Sequence, residues 1–494
     1  MLDPFAETDT EKFKNIIEAG AKNVIGDVEI ILQEVNDWKK STLRKQMLDG
    51  QRYYENDQDI LKRKRMVVGE DGLLEEAKNI ANNKLVHGFI RKLVDQKVGY
   101  LLSLPFTVQA DNKEYLKNLT EYFTKKFLRL FQNVGKEAFN KGKSWLHVYY
   151  DEQGDFKLKR IPSEEIIPFW KDSDHTELAS IIRAYEIEAW VGREKKTIEK
   201  IEVWDATGVY RYVMEKGKLI PDVETGDSFS SHLTIESNGE AQGVNWQRIP
   251  FVCFKYNDEE LPILQFLKSL IDDYDKQKSD NANNIEDLPS GGIYVVKNYE
   301  GQNMGTFRRN LSVFRSVNVA GDGGLEYIAT KIDTEAVKAH QDQNRKDIYE
   351  FGRGVDTQSD RFGGDQSGIA LRFLYADLDM DANMIETEFQ ASLEQLKWFI
   401  DQDIANRTGA DYSDEDVDFI FNRDIIINES EVIDNADKST GRISDETIIA
   451  NHPWVKDSQE EMKRIKKERL EEQGEYDDYR KSFPNRGGVN GQEA

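Results

Sequence analysis

One uninterrupted helical pattern late in this 494-residue chain limits what it can fold into. From Gly368 to about Thr408, apolar residues recur at Ile385, Phe389, Leu393, Leu396, Ile400 and Ile404. Those steps of three and four keep them on one face of an α-helix. Ser367 is placed to cap its start and Gly409 to end it. At about 1.5 Å per residue, such a helix is roughly 55–60 Å long. That length suits an elongated molecule or a subunit of an assembly better than a small globular domain.

The segments before it alternate between two periods. A charged helical pattern from Thr10 to about Arg65 ends in the basic run Lys62-Arg63-Lys64-Arg65, read as a solvated face or an intersubunit contact. Phe89, Ile90, Leu93, Val94, Val98, Leu101 and Leu102 then predict an amphipathic helix that Pro105 stops. A second helix is predicted over Lys113–Lys141, its stripe of Leu119, Phe123, Phe127 and Phe131 serving as core. The period next switches to two over 145–150, 156–159, 181–187, 200–204 and 209–213. These read as strands of an antiparallel sheet attached to helices, so the fold class is α+β.

From Glu260 to about Ile285 a helix returns, apolar at first and then almost wholly polar from Asp275 to Asn284. A helix that turns polar all round is expected to enter solvent or face neighbouring subunits. Short β segments at 292–297, 317–319 and 325–328 follow, and a second polar helix runs from Thr334 to Phe351. The order predicts a protrusion, two legs carrying a small foot. Gly352–Gly368 is a polar, glycine-rich loop leading into the long helix. After that helix come a strand at 417–421, a helix capped at Ser444, a charged helix over 457–472 and a tail from Ser482 expected to be disordered.

The formal net charge is -25, from 92 acidic and 67 basic residues. A protein gripping phosphates by counterion release needs basic stripes, which this balance argues against. The plain reading of the acidity is solubility, the sharper one a surface that repels DNA as it slides past, and composition alone does not choose between them. The single cysteine, Cys253, lies in an apolar run and reads as a buried structural thiol of a protein made in a reducing cytoplasm. The start of the chain has no signal-peptide pattern, and no apolar run approaches the roughly 18 residues of a membrane span.

Three patterns approach known chemistry and fall short. Gly135 through Gly142-Lys143-Ser144 has six residues between its glycines where a phosphate loop needs four. Asp377, Asp379, Asp381 and Glu388 fit calcium-loop positions, but Ala382 replaces the required glycine within a helical pattern, so a solvated acidic face is expected. The six histidines are scattered without zinc-ligand spacing. No catalytic residue, metal or cofactor is assigned, and the chain is read as a non-enzyme.

The order of parts resembles the portal proteins of tailed bacteriophages, in particular the siphophage type of Gram-positive hosts. Tyr53-Tyr54 with Ile60-Leu61 and Arg63 carries the likeness, as does the helix ending in Pro105-Phe106. So do Ile161-Pro162-Ser163-Glu164-Glu165-Ile166-Ile167-Pro168 and Ser367-Gly368-Ile369-Ala370-Leu371-Arg372-Phe373-Leu374-Tyr375 before the long helix. The resemblance implies a ring, normally of twelve copies, at one capsid vertex of the virion, with wing, stem, clip and crown around a tunnel. It places the wing at 1–259, stem helices at 260–289 and 334–355, and the clip at 290–333. The tunnel loop falls at 356–367, the long tunnel helix with part of the wing at 368–408, the crown at 409–481 and the tail at 482–494. Implied partners are double-stranded DNA in the channel, terminase, head–tail connector proteins, and the major capsid and scaffolding proteins, with no membrane.

Under that resemblance Asp356, Thr357, Gln358, Ser359, Asp360, Arg361, Phe362, Gly363, Gly364, Asp365 and Gln366 face DNA at the narrowest point. Arg361 is the one fixed positive charge among them, so contact with phosphates is weak and reads no bases. Arg308, Arg309 and Arg315 are the clip's candidate partner contacts. The rival readings are a metal-dependent nuclease built on clustered carboxylates, and a structural adaptor without DNA contact.

Overall fold

A computed structural model describes residues 27–68, 72–77, 80–222, 228–237, 240–287, 293–297, 303, 306, 321–328, 334–358, 368–423, 429–450, 452, 454, 455, 458 and 460–470. The chain divides into two compact units, Met1–Asp356 with Asp377–Arg423, and Thr357–Ala376 with Asp424–Ala494.

The larger unit opens with α1 (Val28–Lys40) and α2 (Thr42–Tyr54). Asp27 caps the first through the Glu29 amide at 3.0 Å, and Ser41 caps the second through the Arg44 amide at 3.2 Å. The strands β1 (Met66–Val68) and β2 (Leu74–Glu76) form a hairpin, and α3 (Phe89–Leu102) follows residues 81–88, which form neither helix nor strand. Strand β3 (Thr107–Gln109) comes next.

The single helix predicted over 113–141 is in fact two, α4 (Lys113–Thr120) and α5 (Lys125–Lys141). Each has its own start signal: Asn112 Oδ1 accepts from the Glu114 and Tyr115 amides, and Thr124 Oγ1 from the Phe127 amide. Side-chain capping of this kind satisfies amides that a continuous helix would pair internally. The phenylalanine stripe nevertheless enters the core, where Phe131 packs on Phe254 and Phe389 at centroid distances of 5.7 and 5.6 Å.

The period-two segments also divide. β4 (Lys143–Tyr150) and β5 (Phe156–Ile161) pair with each other. A second sheet takes β6 (Ile166–Trp170), β7 (Leu178–Val191), β8 (Glu194–Asp205), β9 (Gly208–Glu215), β10 (Lys218–Pro221) and β11 (Phe229–Ser230). The hairpin of β12 (Leu233–Ser237) and β13 (Glu240–Val244) stands beside it in sequence. Strand β14 (Phe251–Lys255) returns to the first sheet, in the order β14-β4-β5.

Consecutive residues explain how the larger sheet is held. Side chains alternate faces along a strand. Thus Ile166, Ile181 and Trp204 join Trp145, Ile161 and Phe251 of the smaller sheet in one core cluster. Their neighbours Ile167, Ile182 and Val203 join Ile31 and Val35 of α1 in another. Both faces are therefore covered, and each fully buried aliphatic side chain contributes about 1.5–3 kcal/mol.

The remaining elements of this unit are α6 (Ile263–Asp287), β15 (Ile293–Lys297), β16 (Gly324–Ile328) and α7 (Thr334–Phe351). β15 and β16 pair antiparallel, as a small β foot between two legs requires. The long helix is α8 (Gly368–Thr408), counted with the larger unit from Asp377 onward. Its stripe from Ile385 to Ile404 is at most 2% exposed. Strand β17 (Asp418–Ile420) pairs with β3.

In the smaller unit, α9 (Glu429–Ser439) and α10 (Asp445–Ala450) follow the first turns of α8, and residues 460–470 are helical. Ser444 caps α10 by accepting from the Thr447 amide at 3.2 Å. Among the described residues, no helix is long and apolar enough to cross a membrane.

Candidate functional site

The chain leaves α7 through a turn that is clamped on several sides before the glycine-rich loop begins. Gly352 and Gly354 donate to the carbonyls of Ile348 and Tyr349 at 3.0 and 2.9 Å. A Cβ on Gly354 would lie 2.2 Å from a methyl of Leu93 on α3, so only glycine allows this approach without displacing that side chain. Arg353 between them is left-handed, with φ 48°. Its carbonyl accepts from Lys97 at 3.2 Å, and its guanidinium reaches Asp381 of α8 at 3.2 Å.

Two further grips fix the next residues. Gln96 brackets the backbone of Val355, accepting from its amide at 2.9 Å and donating to its carbonyl at 3.1 Å. Arg345 of α7 then holds both carboxylate oxygens of Asp356, at 2.9 and 2.7 Å. A two-point guanidinium–carboxylate pair fixes orientation as well as distance. Beneath the turn, Lys97 forms a buried ion pair with Asp381, and its own burial pulls its pKa below the usual lysine value against the opposing pull of Asp381. The loop thus starts from a rigid root.

Of the predicted loop residues, Asp356 is half-buried in this root, and Thr357 and Gln358 are exposed. Ser359, Asp360, Arg361, Phe362, Gly363, Gly364, Asp365 and Gln366 lie outside the described residues, as do Arg308, Arg309 and Arg315.

Each leg is solvated on one side, and the other side is satisfied within the chain. On α7, Asn344 donates to the Leu270 carbonyl at 3.2 Å and to Asp273 at 3.0 Å, while His340 meets Asp273 at 3.0 Å. On the polar half of α6, Asp275, Ser279 and Asn283 are 0, 0 and 1% exposed. Their side chains accept from the backbone amides of His87 (3.1 Å), Leu85 (2.9 Å) and Asn83 (2.6 Å).

The match is geometric. Four helical residues rise about 6 Å and two extended residues about 6.6–6.8 Å, so alternate amides keep step with successive turns. Residues 83–87 form a strap lying along the helix as a strand lies along a sheet edge. One face of the polar half of α6 is covered by its own chain, while Lys276, Asn284, Ile285 and Glu286 stay exposed as expected for a helix entering solvent. Burial raises the pKa of Asp275, opposed by its bond to the His87 ring.

The sequence patterns that fell short of known chemistry have structural work. Gly142, with φ 84°, ends α5, and Lys143 is paired with Glu260 in a buried contact. Asp379 and Asp381 were expected on a solvated acidic face. Asp377 is exposed, and Asp379 keeps a side chain 46% exposed while accepting from Tyr100 and Arg423, but Asp381 is buried, 2% exposed. Cys253 is buried, and that burial pushes its thiol up to about 12, far from nucleophilic use. Among the described residues, no group of three or more His, Cys, Asp or Glu stands where a metal ion could be held.

Comparison with known proteins gives a consistent set of relatives. The family described as "Phage portal protein, SPP1 Gp6-like" matches residues 37–475. The portal protein of Bacillus phage SPP1 is 31% identical over 500 residues, covering 98% of this chain and 97% of that protein. The portal protein of Clostridium phage phiCD119 is 31% identical over 436 residues, covering 85% and 92%. A solved chain titled "Neck of native GTA particle computed with C12 symmetry" is 14% identical with a TM-score of 0.37, covering 73% of this chain and 88% of its own. A score that low adds nothing to the assignment, which rests on the family match and the two relatives.

Proposed function

From the premise that this chain belongs to the SPP1-type phage portal family, we propose that its copies close into a ring, normally of twelve, at one capsid vertex. Double-stranded DNA passes through the central channel during packaging and ejection. In this reading the chain does no chemistry; it is a structural conduit. The α6–α7 legs form the stem, the β15–β16 foot belongs to the clip, and the boundaries implied by the resemblance carry over with them. The clip meets terminase and later the head–tail connector proteins, with Arg308, Arg309 and Arg315 as candidate contacts. The major capsid and scaffolding proteins surround the wing.

The observation that carries the loop's role is its root. A segment that touches moving DNA must be presented from a fixed base, and Arg345–Asp356 with Gln96–Val355 supplies one. Beyond it Arg361 is the single cation, flanked by Asp360 and Asp365. The loop therefore holds phosphates weakly and in no register, as a sliding contact requires. The net charge of -25 acts in the same direction, because wall and cargo repel.

Arg361→Glu should lower the DNA retained per head several-fold in a packaging assay. Excision of residues 358–366, which spares the Arg345–Asp356 pair, should lower it further. Unchanged packaging and retention in both variants would remove the loop from the DNA path.

A further inference from the structure

The three-stranded sheet β14-β4-β5 has two edges, and they are treated differently. At the β14 edge, Ser392 of α8 donates to the Cys253 carbonyl at 2.7 Å. The β5 edge is open. Val148 donates to the Pro250 carbonyl at 2.9 Å, so its backbone points to the β14 side of β4. Bonding directions alternate along an antiparallel strand. Trp145, His147 and Tyr149 therefore point toward β5, where they stand opposite Ile161, Lys159 and Lys157. Phe156, Leu158 and Arg160 turn their amides and carbonyls outward. Among the described residues, none of these groups meets a backbone partner.

A groove of about 600 Å³ runs along that edge, between β5 and α5. Phe156, Lys157 and Leu158 line it consecutively, as residues do where a strand shows its edge and not one face. Tyr122, Phe127 and Leu130 make the opposite wall apolar.

The charges along this groove do not cancel. Asp155 is paired with Lys157 at 3.0 Å, and Asp403 and Glu121 share Arg407 at 3.2 and 3.8 Å. Four exposed cations are left: Lys126 on the rim, Lys125 and Arg129 on the same side of α5, and Lys159 on β5. Among the described residues, none of the four has a carboxylate partner. Against them the turn between β4 and β5 sets one unpaired acid, Glu152. Lysines on an edge strand repel a basic strand and admit an acidic one.

We propose that an extended acidic segment of a partner protein adds to β5 as a fourth strand of this sheet. Its apolar side chains, at alternate positions, enter the groove, and the acidic ones between them meet Lys159 and the α5 cations. Main-chain bonds to Phe156, Leu158 and Arg160 supply affinity, while groove and charge supply selectivity. The site lies within the larger unit and depends on neither the ring nor the 356–366 loop.

Titrating the full-length protein into fluorescently labelled (Val-Glu)4 tests this. Saturable binding is expected, about tenfold or more tighter than for (Val-Lys)4 or for a (Val-Glu)4 methylated at every backbone nitrogen. Lys126→Glu with Arg129→Glu and Lys159→Glu, all at exposed positions, should weaken it by a similar factor and leave the far-UV circular dichroism unchanged. Equal binding of the methylated peptide would reduce the contact to charge alone and remove the strand addition. Equal binding of (Val-Lys)4 would contradict the acidic chemistry, as would full affinity in the triple variant. A short DNA duplex that binds and displaces the peptide would assign the cations to phosphates instead, and overturn the proposal. So would the absence of saturable binding to (Val-Glu)4.

Discussion

Lys97→Ala is expected to destabilise the larger unit by about 3–5 kcal/mol, because it leaves a carboxylate buried without its cation. Lys97 and Asp381 are each 2% exposed, and the lysine ammonium also bonds the Arg353 carbonyl at 3.2 Å. Removing it strands the Arg353 carbonyl and takes from Asp381 its buried cation. Arg353 still reaches Asp381 at 3.2 Å, which should hold the loss near the lower end of that range. Removing both charges in Lys97→Met with Asp381→Leu should recover most of it, since an apolar pair of similar volume needs no compensation. Urea unfolding of the four members of this cycle reads the coupling between the two sites. A Lys97→Ala loss below about 1 kcal/mol would show that water reaches the pair. The consequence reaches function, because this ion pair lies under the turn that launches the 356–366 loop.

Glu137→Ala should cost about 3–4 kcal/mol by the same logic applied to a denser network. Glu137, on α5, is 2% exposed and accepts from Lys141 at 3.0 Å, from Arg160, and from the Ser163 amide at 2.8 Å and hydroxyl at 3.2 Å. Lys141 keeps Glu164 as a partner and Arg160 can turn to solvent. The buried Ser163 amide has no such escape. This one carboxylate ties α5 to the turn between β5 and β6, where the smaller sheet gives way to the larger. Glu137→Gln, which keeps an acceptor for Ser163, should lose no more than about half as much. Equal losses for the two variants would show that charge, not the bond to Ser163, sets the cost.

What the sequence discloses and what it hides follow the range of the interactions. The stripe from Ile385 to Ile404 and the helix beginning at Phe89 are periodic over several turns, and both are found close to their predicted bounds. The segment Ile161–Pro168 carried the family likeness, and its Ser163 proves to be the residue that Glu137 holds. The division of the strands into two sheets was not legible, because the second partner of β4 is β14, about a hundred residues away. Nor was the split at Thr124, where one capping hydroxyl outweighs an unbroken apolar stripe.

One face of the polar half of α6, that of Asp275, Ser279 and Asn283, departs from the expectation for a physical reason. Polar residues on a helix normally meet water, and here they meet the amides of a strap nearly 200 residues earlier in sequence. A signal did exist: Asp275, Ser279 and Asn283 are short acceptors spaced four apart, which water alone does not require. The acidic run around Asp379 and Asp381 departs similarly in part, since Lys97, Tyr100, Arg353 and Arg423 come from distant segments. At the candidate site, the root through Asp356 is built in the structure, while Arg361 and the clip arginines rest on the resemblance.

Whether copies of this chain enclose a passage is read most directly from negative-stain images of the purified full-length protein. Closed rings with a central hole, of one size and fixed rotational symmetry, are the predicted result. Isolated compact particles, at concentrations where the protein remains folded, would contradict it.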